Sequence, residues 1–111
     1  MKISSCLIKF DNGIDLECGV RLDSFELMVE TYGELNEDKS NGILVCHAFS
    51  GNHHAAGVSE DKKDIGWWDN IIGPDKAVDT NKYFVICSNN LGGCSGSSGP
   101  LSTNPVSKKP Y

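Results

Sequence analysis

The chain has 111 residues, an ordinary apolar share of 39% and a formal net charge of −5. This length is enough for one small domain with a workable core. The acidic balance, without a basic cluster, argues against nucleic acid or an anionic membrane surface as a partner. No stretch approaches transmembrane length or has the pattern of a secretory signal, so we expect a cytoplasmic protein.

The first third of the sequence predicts β structure. The turn-type triplet at 11–13 separates the apolar runs "CLIKF" and "IDLEC" and predicts a hairpin between them. Residues 25–32 then alternate between two faces, which predicts a strand with one face in the core. That face carries Phe25, Leu27, Val29 and Thr31.

Two later apolar runs, "ILVCHAF" and "YFVICSN", predict strands that are covered on both faces, as in a parallel sheet. Between them "GWWDNII" predicts a short helix that ends at Gly73-Pro74. A connection of this length permits a right-handed parallel crossover. The sequence therefore predicts the start of an α/β sheet. The Gly-, Ser-, Asn- and Pro-rich tail builds no core element, which indicates the front part of a larger domain.

The five cysteines are odd in number and irregularly spaced, and no C-x-x-C pair occurs, which excludes zinc-ribbon and thioredoxin-type sites. We expect reduced thiols. Cys6, Cys46 and Cys87 lie in strand-like apolar runs, where cysteine usually behaves as a small buried hydrophobe.

The end of the first parallel strand carries the main candidate for chemistry, in the stretch "LVCHAFSG". In α/β-hydrolases a loop after a strand donates a backbone N–H to an oxyanion hole and often begins His-Gly. Such a donor must be aimed at developing negative charge, with small neighbours that admit substrate. His47 and the small Ala48 precede Phe49, whose backbone amide fits this role. The alternative is a plain strand-to-loop exit with a hydrogen-bonded histidine.

Two other stretches are weaker candidates. His53 and His54 suggest a metal site, but adjacent side chains tend to diverge and no recognised ligand spacing completes the set, so we expect no metal. The sequence "GGCSG" places Cys94 where a nucleophile elbow has its nucleophile. An elbow needs a strand directly before it and a helix directly after it, and "SSGPLSTNP" does not begin a helix. A glycine-rich loop is the favoured interpretation, with a Cys94 thiol nucleophile as the alternative.

The segments "LVCHAFSGNHHAAG", "GWWDNIIGPDKAVDTNKYFVICSNNLGGCSGSSGP" and "STNPVSKKPY" together closely resemble the amino-terminal part of homoserine O-acyltransferases, which are α/β-hydrolase-fold enzymes of methionine biosynthesis. The match runs from about residue 10 to the last residue. The resemblance implies that residues 1–111 are the amino-terminal part of a single α/β-hydrolase domain, in which antiparallel strands lead into a parallel sheet, truncated before the nucleophile elbow.

The resemblance also implies a ping-pong mechanism with a serine–aspartate–histidine triad, whose three positions fall after Tyr111 and are absent from this chain. The one catalytic element that maps onto the chain is the oxyanion-hole donor, the backbone N–H of Phe49, where relatives often carry leucine. His47 is then the strand-end residue of the oxyanion loop and not the catalytic base. The loop from Asn89 to Pro100 is expected near the active-site rim, supporting the elbow through close contacts that glycine permits.

The resemblance further implies L-homoserine and an acyl-CoA as substrates, no cofactor, and a homodimer for full-length members. Acetyl-CoA is the default donor, and succinyl-CoA is the alternative that the wording "SGNHHAAG" favours weakly. The fragment alone is expected to be inactive. Two further alternatives remain: a non-catalytic module that docks onto a separately encoded remainder of the fold, and a related acyltransferase or hydrolase with another acceptor, such as serine.

Overall fold

The computed structural model describes residues 1–111 and consists of strands, turns and loops. No helix in it is long and apolar enough to cross a bilayer. The strands are β1 Ile3–Phe10, β2 Ile14–Asp15, β3 Arg21–Leu22, β4 Phe25–Tyr32, β5 Gly42–Val45, β6 Ile72–Gly73, β7 Val78–Asp79 and β8 Phe84–Ser88. Four of them form the main sheet in the order β1-β4-β8-β5, and two small two-stranded sheets pair β2 with β3 and β6 with β7.

The main sheet joins an antiparallel part to a parallel part. Strand β4 lies between β1 and β8 and is antiparallel to both. Strand β5 pairs with β8 in parallel register, with Leu44 opposite Ile86. The prediction of antiparallel strands leading into a parallel pair is therefore confirmed. Strands β4, β5 and β8 overlap the segments whose patterns predicted them.

The predicted hairpin around 11–13 is wrong. The eight residues of β1 pair with the eight residues of β4, whereas β2 pairs with β3 through Ile14 and Leu22. Gly13 has a φ of +67°, and a Cβ there would lie 2.2 Å from the Leu22 carbonyl oxygen. The chain therefore bends away from β1 at this glycine, and the short β2 contributes little pairing compared with the full-length partner that β4 offers.

The predicted helix in "GWWDNII" is also wrong, because residues 67–71 form turns. The Asp69 amide donates to the Gly66 carbonyl and the Ile71 amide donates to the Trp68 carbonyl, but the chain then extends into β6. A single helical turn is unfavourable by itself, because nucleation fixes several residues for one hydrogen bond. Here Ile72, which is fully buried, anchors the extended conformation in the core.

The core lies on one face of the sheet, where the loop after β5 and the turn before β6 cover it. On β4 the fully buried side chain is Tyr32, which does not lie on the predicted face. On the predicted face Val29 is buried, but the other predicted residues are half-buried. Residues 1–111 by themselves cover only one face of β5, because Leu44 is 67% exposed. The core cluster contains Tyr32, Val45, Ala55, Ala56, Ile72, Val85 and Cys87.

All five cysteines are free thiols. Cys87 is buried as predicted, and burial raises the pKa of its thiol to about 11. Cys6 and Cys46 are exposed, contrary to prediction. Cys6 lies on β1, and all residues of this strand are exposed. Strand β1 is at the edge of the sheet, and little of the chain packs against it.

Candidate functional site

The candidate site lies where the two parallel strands end. Val45 at the end of β5 is opposite Cys87 near the end of β8, so the loops that follow both strands leave the same edge of the sheet. In open α/β sheets, ligands bind outside the carboxyl ends of the strands. His47 and Phe49 are in the first of these loops and Asn90 is in the second.

His47 joins the two loops through both nitrogens of its ring. Its Nδ1 is 2.7 Å from the carbonyl oxygen of Ala48, and its Nε2 is 3.2 Å from the backbone nitrogen of Asn90. A carbonyl only accepts and a backbone N–H only donates. These roles assign the proton to Nδ1 and direct the lone pair of Nε2 toward Asn90. In this arrangement neither ring nitrogen has a lone pair free to accept a proton from a substrate. The expectation that His47 is not a catalytic base stays a prediction.

The Ala48 carbonyl closes a tight turn. It also accepts a hydrogen bond of 2.8 Å from the Gly51 amide. No residue from 48 to 51 has a positive φ, which excludes the turn types that depend on one. A Cβ on Gly51 would lie 3.0 Å from the His47 Cβ and 3.2 Å from the Ala48 oxygen. Glycine at this position therefore lets the turn close against the histidine.

Phe49 occupies the first corner of this turn. Its amide donates to no backbone carbonyl of the chain, and its side chain is fully exposed. The N–H is thus available to an external acceptor, as an oxyanion-hole donor must be. The role of Phe49 in catalysis stays a prediction.

The rest of the loop is held by buried hydrogen bonds. The Tyr32 hydroxyl donates to the His53 carbonyl at 3.0 Å and accepts from the Ala55 amide at 2.7 Å. Burial raises the pKa of the Tyr32 phenol, so the hydroxyl keeps its proton. The Asn52 carbonyl accepts from the Trp67 indole N–H at 2.9 Å. These contacts fix the loop against β4 and against the turn before β6.

His53 and His54 do not diverge as expected but both approach Glu30, a buried carboxylate on β4. His54 Nδ1 is 2.8 Å from one Glu30 oxygen and His53 Nε2 is 4.0 Å from the other. The Ser5 hydroxyl donates to the same carboxylate at 3.2 Å. Burial lowers the pKa of His53 below its ordinary value. These groups line a cleft of about 680 Å³, but their arrangement does not form a metal site.

The glycine-rich loop returns to the sheet. Ser97 Oγ donates to the Asn89 carbonyl at 2.6 Å and accepts from the Met28 amide at 3.0 Å. Gly93 packs tightly, because a Cβ there would lie 2.9 Å from Asn89 Nδ2. Cys94 is exposed six residues after the end of β8, and no helix follows it, so the strand–elbow–helix context of a nucleophile is absent around it.

The sequence did not indicate three of these contacts. Glu30 lies on the face of β4 that its alternating pattern assigned to solvent, and no local signal pairs it with the histidines. Neither the partner of the Tyr32 hydroxyl nor the contact between His47 and Asn90 has a sequence signature. The histidine pair itself was the one available signal of a buried acidic partner.

Comparison with known proteins identifies close relatives over nearly the whole chain. The homoserine O-succinyltransferase of Saccharophagus degradans is 59% identical over 106 residues, which are 95% of this chain and 28% of that protein. The homoserine O-succinyltransferase of Hahella chejuensis is 61% identical over 105 residues, or 93% of this chain and 27% of that protein. The chain thus spans somewhat over a quarter of the length of these curated relatives. No family model matches it.

Solved structures agree with the sequence relatives. The crystal structure of a homoserine O-acetyltransferase from Bacillus anthracis matches 100% of this chain and 31% of its own, with a TM-score of 0.89 and 39% identity. That of esterase E22 matches 99% of this chain and 32% of its own, with a TM-score of 0.87 and 36% identity. The chain is therefore homologous to a segment of the homoserine O-acyltransferases, and its fold is the amino-terminal portion of an α/β-hydrolase domain.

Proposed function

We propose that this chain is the oxyanion-loop segment of a homoserine O-acyltransferase, an enzyme that transfers an acyl group from acyl-CoA to the hydroxyl of L-homoserine. The observation that carries the proposal is the 59% identity to a homoserine O-succinyltransferase over 95% of the chain. The unpaired Phe49 amide at the carboxyl edge of the parallel strands supports it. The product would enter methionine biosynthesis, as the resemblance implies.

In the proposed reaction a serine outside residues 1–111 attacks the thioester carbonyl of the acyl-CoA. The carbonyl oxygen gains negative charge, and the Phe49 N–H donates a hydrogen bond to it. CoA leaves, and the homoserine hydroxyl then attacks the acyl-serine through a second oxyanion at the same place. Because the donor is a main-chain group, phenylalanine can stand where relatives often carry leucine. No cofactor takes part in these steps.

We infer succinyl-CoA as the donor, in preference to the acetyl-CoA that the sequence alone suggested as default. Eight curated relatives at 54–61% identity are homoserine O-succinyltransferases. The acetyl donor remains the second candidate, because the Bacillus anthracis acetyltransferase shares the fold of the segment at 39% identity. The complete polypeptide of which this chain is proposed to be the amino-terminal part should use succinyl-CoA with a kcat/KM at least tenfold above that for acetyl-CoA. A preference for acetyl-CoA would reverse this assignment.

The segment itself is tested in a chimera, in which residues 1–111 replace the aligned segment of the Saccharophagus degradans relative. We expect the chimera to release CoA from succinyl-CoA only when L-homoserine is present and to form O-succinylhomoserine, measured by thiol titration and mass spectrometry. A folded chimera without this activity, beside an active unmodified relative, would contradict the proposal.

Residues 1–111 alone should transfer no acyl group from either donor, because removal of a triad nucleophile costs several orders of magnitude in rate. The control is Cys94→Ala in the same isolated chain. A burst of CoA from residues 1–111 that this substitution abolishes would establish Cys94 as a thiol nucleophile and overturn the serine mechanism.

A further inference from the structure

The His47 side chain makes two hydrogen bonds that a residue following a strand need not make. Its Nδ1–H donates to the carbonyl oxygen of Ala48, and that carbonyl belongs to the same peptide group as the N–H of Phe49. The chain contains no cis peptide bond, so this group is trans, and its C=O and N–H point in opposite directions. Whatever fixes the carbonyl therefore also aims the amide.

Two donors fix that carbonyl from the inner side of the turn. His47 Nδ1 approaches it at 2.7 Å and the Gly51 amide at 2.8 Å. Rotation of the peptide would break both hydrogen bonds and turn the carbonyl oxygen toward the position of the oxyanion. Hydrogen bonds to a carbonyl also polarise the peptide, which strengthens the donor at its other end.

The imidazole ring is itself fixed from its far side. Nε2 accepts the Asn90 N–H at 3.2 Å, and this bond holds the ring in the tautomer whose proton lies on Nδ1. Asn90 lies just beyond β8, the parallel neighbour of β5. The aim of the amide therefore depends on a contact between the two strand ends.

We propose that His47 is a positioning residue of the oxyanion hole, which holds the 48–49 peptide with its carbonyl inward and the Phe49 N–H outward. The proposal rests on the function proposed above. It assigns to the histidine neither proton transfer nor contact with substrate.

Substitutions in the active chimera separate the two contacts of the ring. The asparagine of His47→Asn places an amide N–H near the position of Nδ1 but is too short to reach Asn90. The glutamine of His47→Gln places an oxygen near the position of Nε2, where it accepts from Asn90, and offers no donor to the Ala48 carbonyl. The alanine of His47→Ala makes neither contact.

We expect His47→Asn to keep kcat within about fivefold of the parent, because it keeps the donor that aims the peptide. His47→Gln and His47→Ala should lower kcat about 10- to 100-fold. Loss of a whole oxyanion-hole donor lowers kcat by about 10²–10³, and a donor that is only misaligned keeps part of its effect. KM for the acyl-CoA should change less than about threefold. NMR of ¹⁵N-labelled histidine should find the His47 proton on Nδ1 in the parent chimera.

Equal kcat in all three variants, or a His47→Asn variant as slow as His47→Ala while both stay folded, would overturn the positioning role. A proton on Nε2 would also overturn it. Hydrolysis of p-nitrophenyl acetate distinguishes this failure from that of the proposed function. If the chimera hydrolyses the ester but acylates no homoserine, the assignment of homoserine as acceptor fails. The positioning role is still supported if His47→Asn hydrolyses the ester faster than His47→Gln and His47→Ala.

Discussion

At the scale of single residues, hydrogen bonds of buried polar atoms fix the position of the loop that follows β5. The Tyr32 hydroxyl satisfies one backbone carbonyl and one backbone amide of the loop at once. Glu30, two residues earlier on the same face of β4, accepts from His54 and Ser5. Buried polar groups are costly unless they are hydrogen-bonded, so these pairings specify one position of the loop against the sheet.

The substitution Tyr32→Phe should destabilise the folded chimera by about 1–3 kcal/mol, because it removes two buried hydrogen bonds of the hydroxyl. The Ala55 amide and the His53 carbonyl then keep only the 2.9 Å hydrogen bond that joins them to each other. Urea denaturation followed by circular dichroism measures the change in the free energy of unfolding. The matched control is Tyr83→Phe, because the Tyr83 side chain is 41% exposed and should lose less than about 0.5 kcal/mol. Equal effects of the two substitutions would contradict this account of the loop.

At the scale of elements, the loop after β5 and the turn before β6 form one packed unit. Gly66 donates to the Gly57 carbonyl at 2.8 Å, and the Trp68 amide donates to the Ala55 carbonyl at 2.7 Å. A Cβ on Gly66 would lie 2.1 Å from the Ala56 nitrogen, which no side-chain adjustment can relieve. This close approach of two backbones leaves no room for a side chain at position 66.

The substitution Gly66→Ala should therefore separate the two segments and lower the stability of the chimera by about 3 kcal/mol, the upper end of ordinary overpacking. The melting temperature and kcat should fall together, since the displaced segment continues into the oxyanion loop. Gly42→Ala is the matched control, because a Cβ on Gly42 contacts nothing within 4 Å and its φ is not positive. A Gly66→Ala variant as stable as Gly42→Ala would disprove the packing argument.

At the scale of the whole molecule, the chain has an open sheet and a small core. Only 14 of its 111 residues are buried, and Leu44 on the uncovered face of β5 is 67% exposed. The Cα radius of gyration is 15.7 Å, above the roughly 13 Å expected for a compact domain of this length. A doubly covered parallel sheet would need further elements on the face that carries Leu44.

Residues 1–111 as an isolated polypeptide should consequently bind a hydrophobic dye such as ANS and unfold without a sharp cooperative transition. The same residues within the chimera should bind little dye and unfold in one transition, because the remainder of the α/β-hydrolase domain covers the apolar face. A cooperative, dye-free transition of the isolated chain would mean that the core described here is sufficient for a stable fold.

The sequence by itself determined the strong strands, the parallel pairing of β5 and β8, and the motif that ends in Phe49, because alternation, apolar runs and motif spacing are properties of neighbouring residues. The tertiary structure decided the partner of β1, the buried face of β4, the backbone contact at Gly66 and the contact of His54 with Glu30. Each of these depends on residues far apart in the chain, whose contact is set by packing and by the need to pair buried polar groups. The aim of the Phe49 amide is the clearest case, because the motif provides the peptide and a contact between two strand ends orients it.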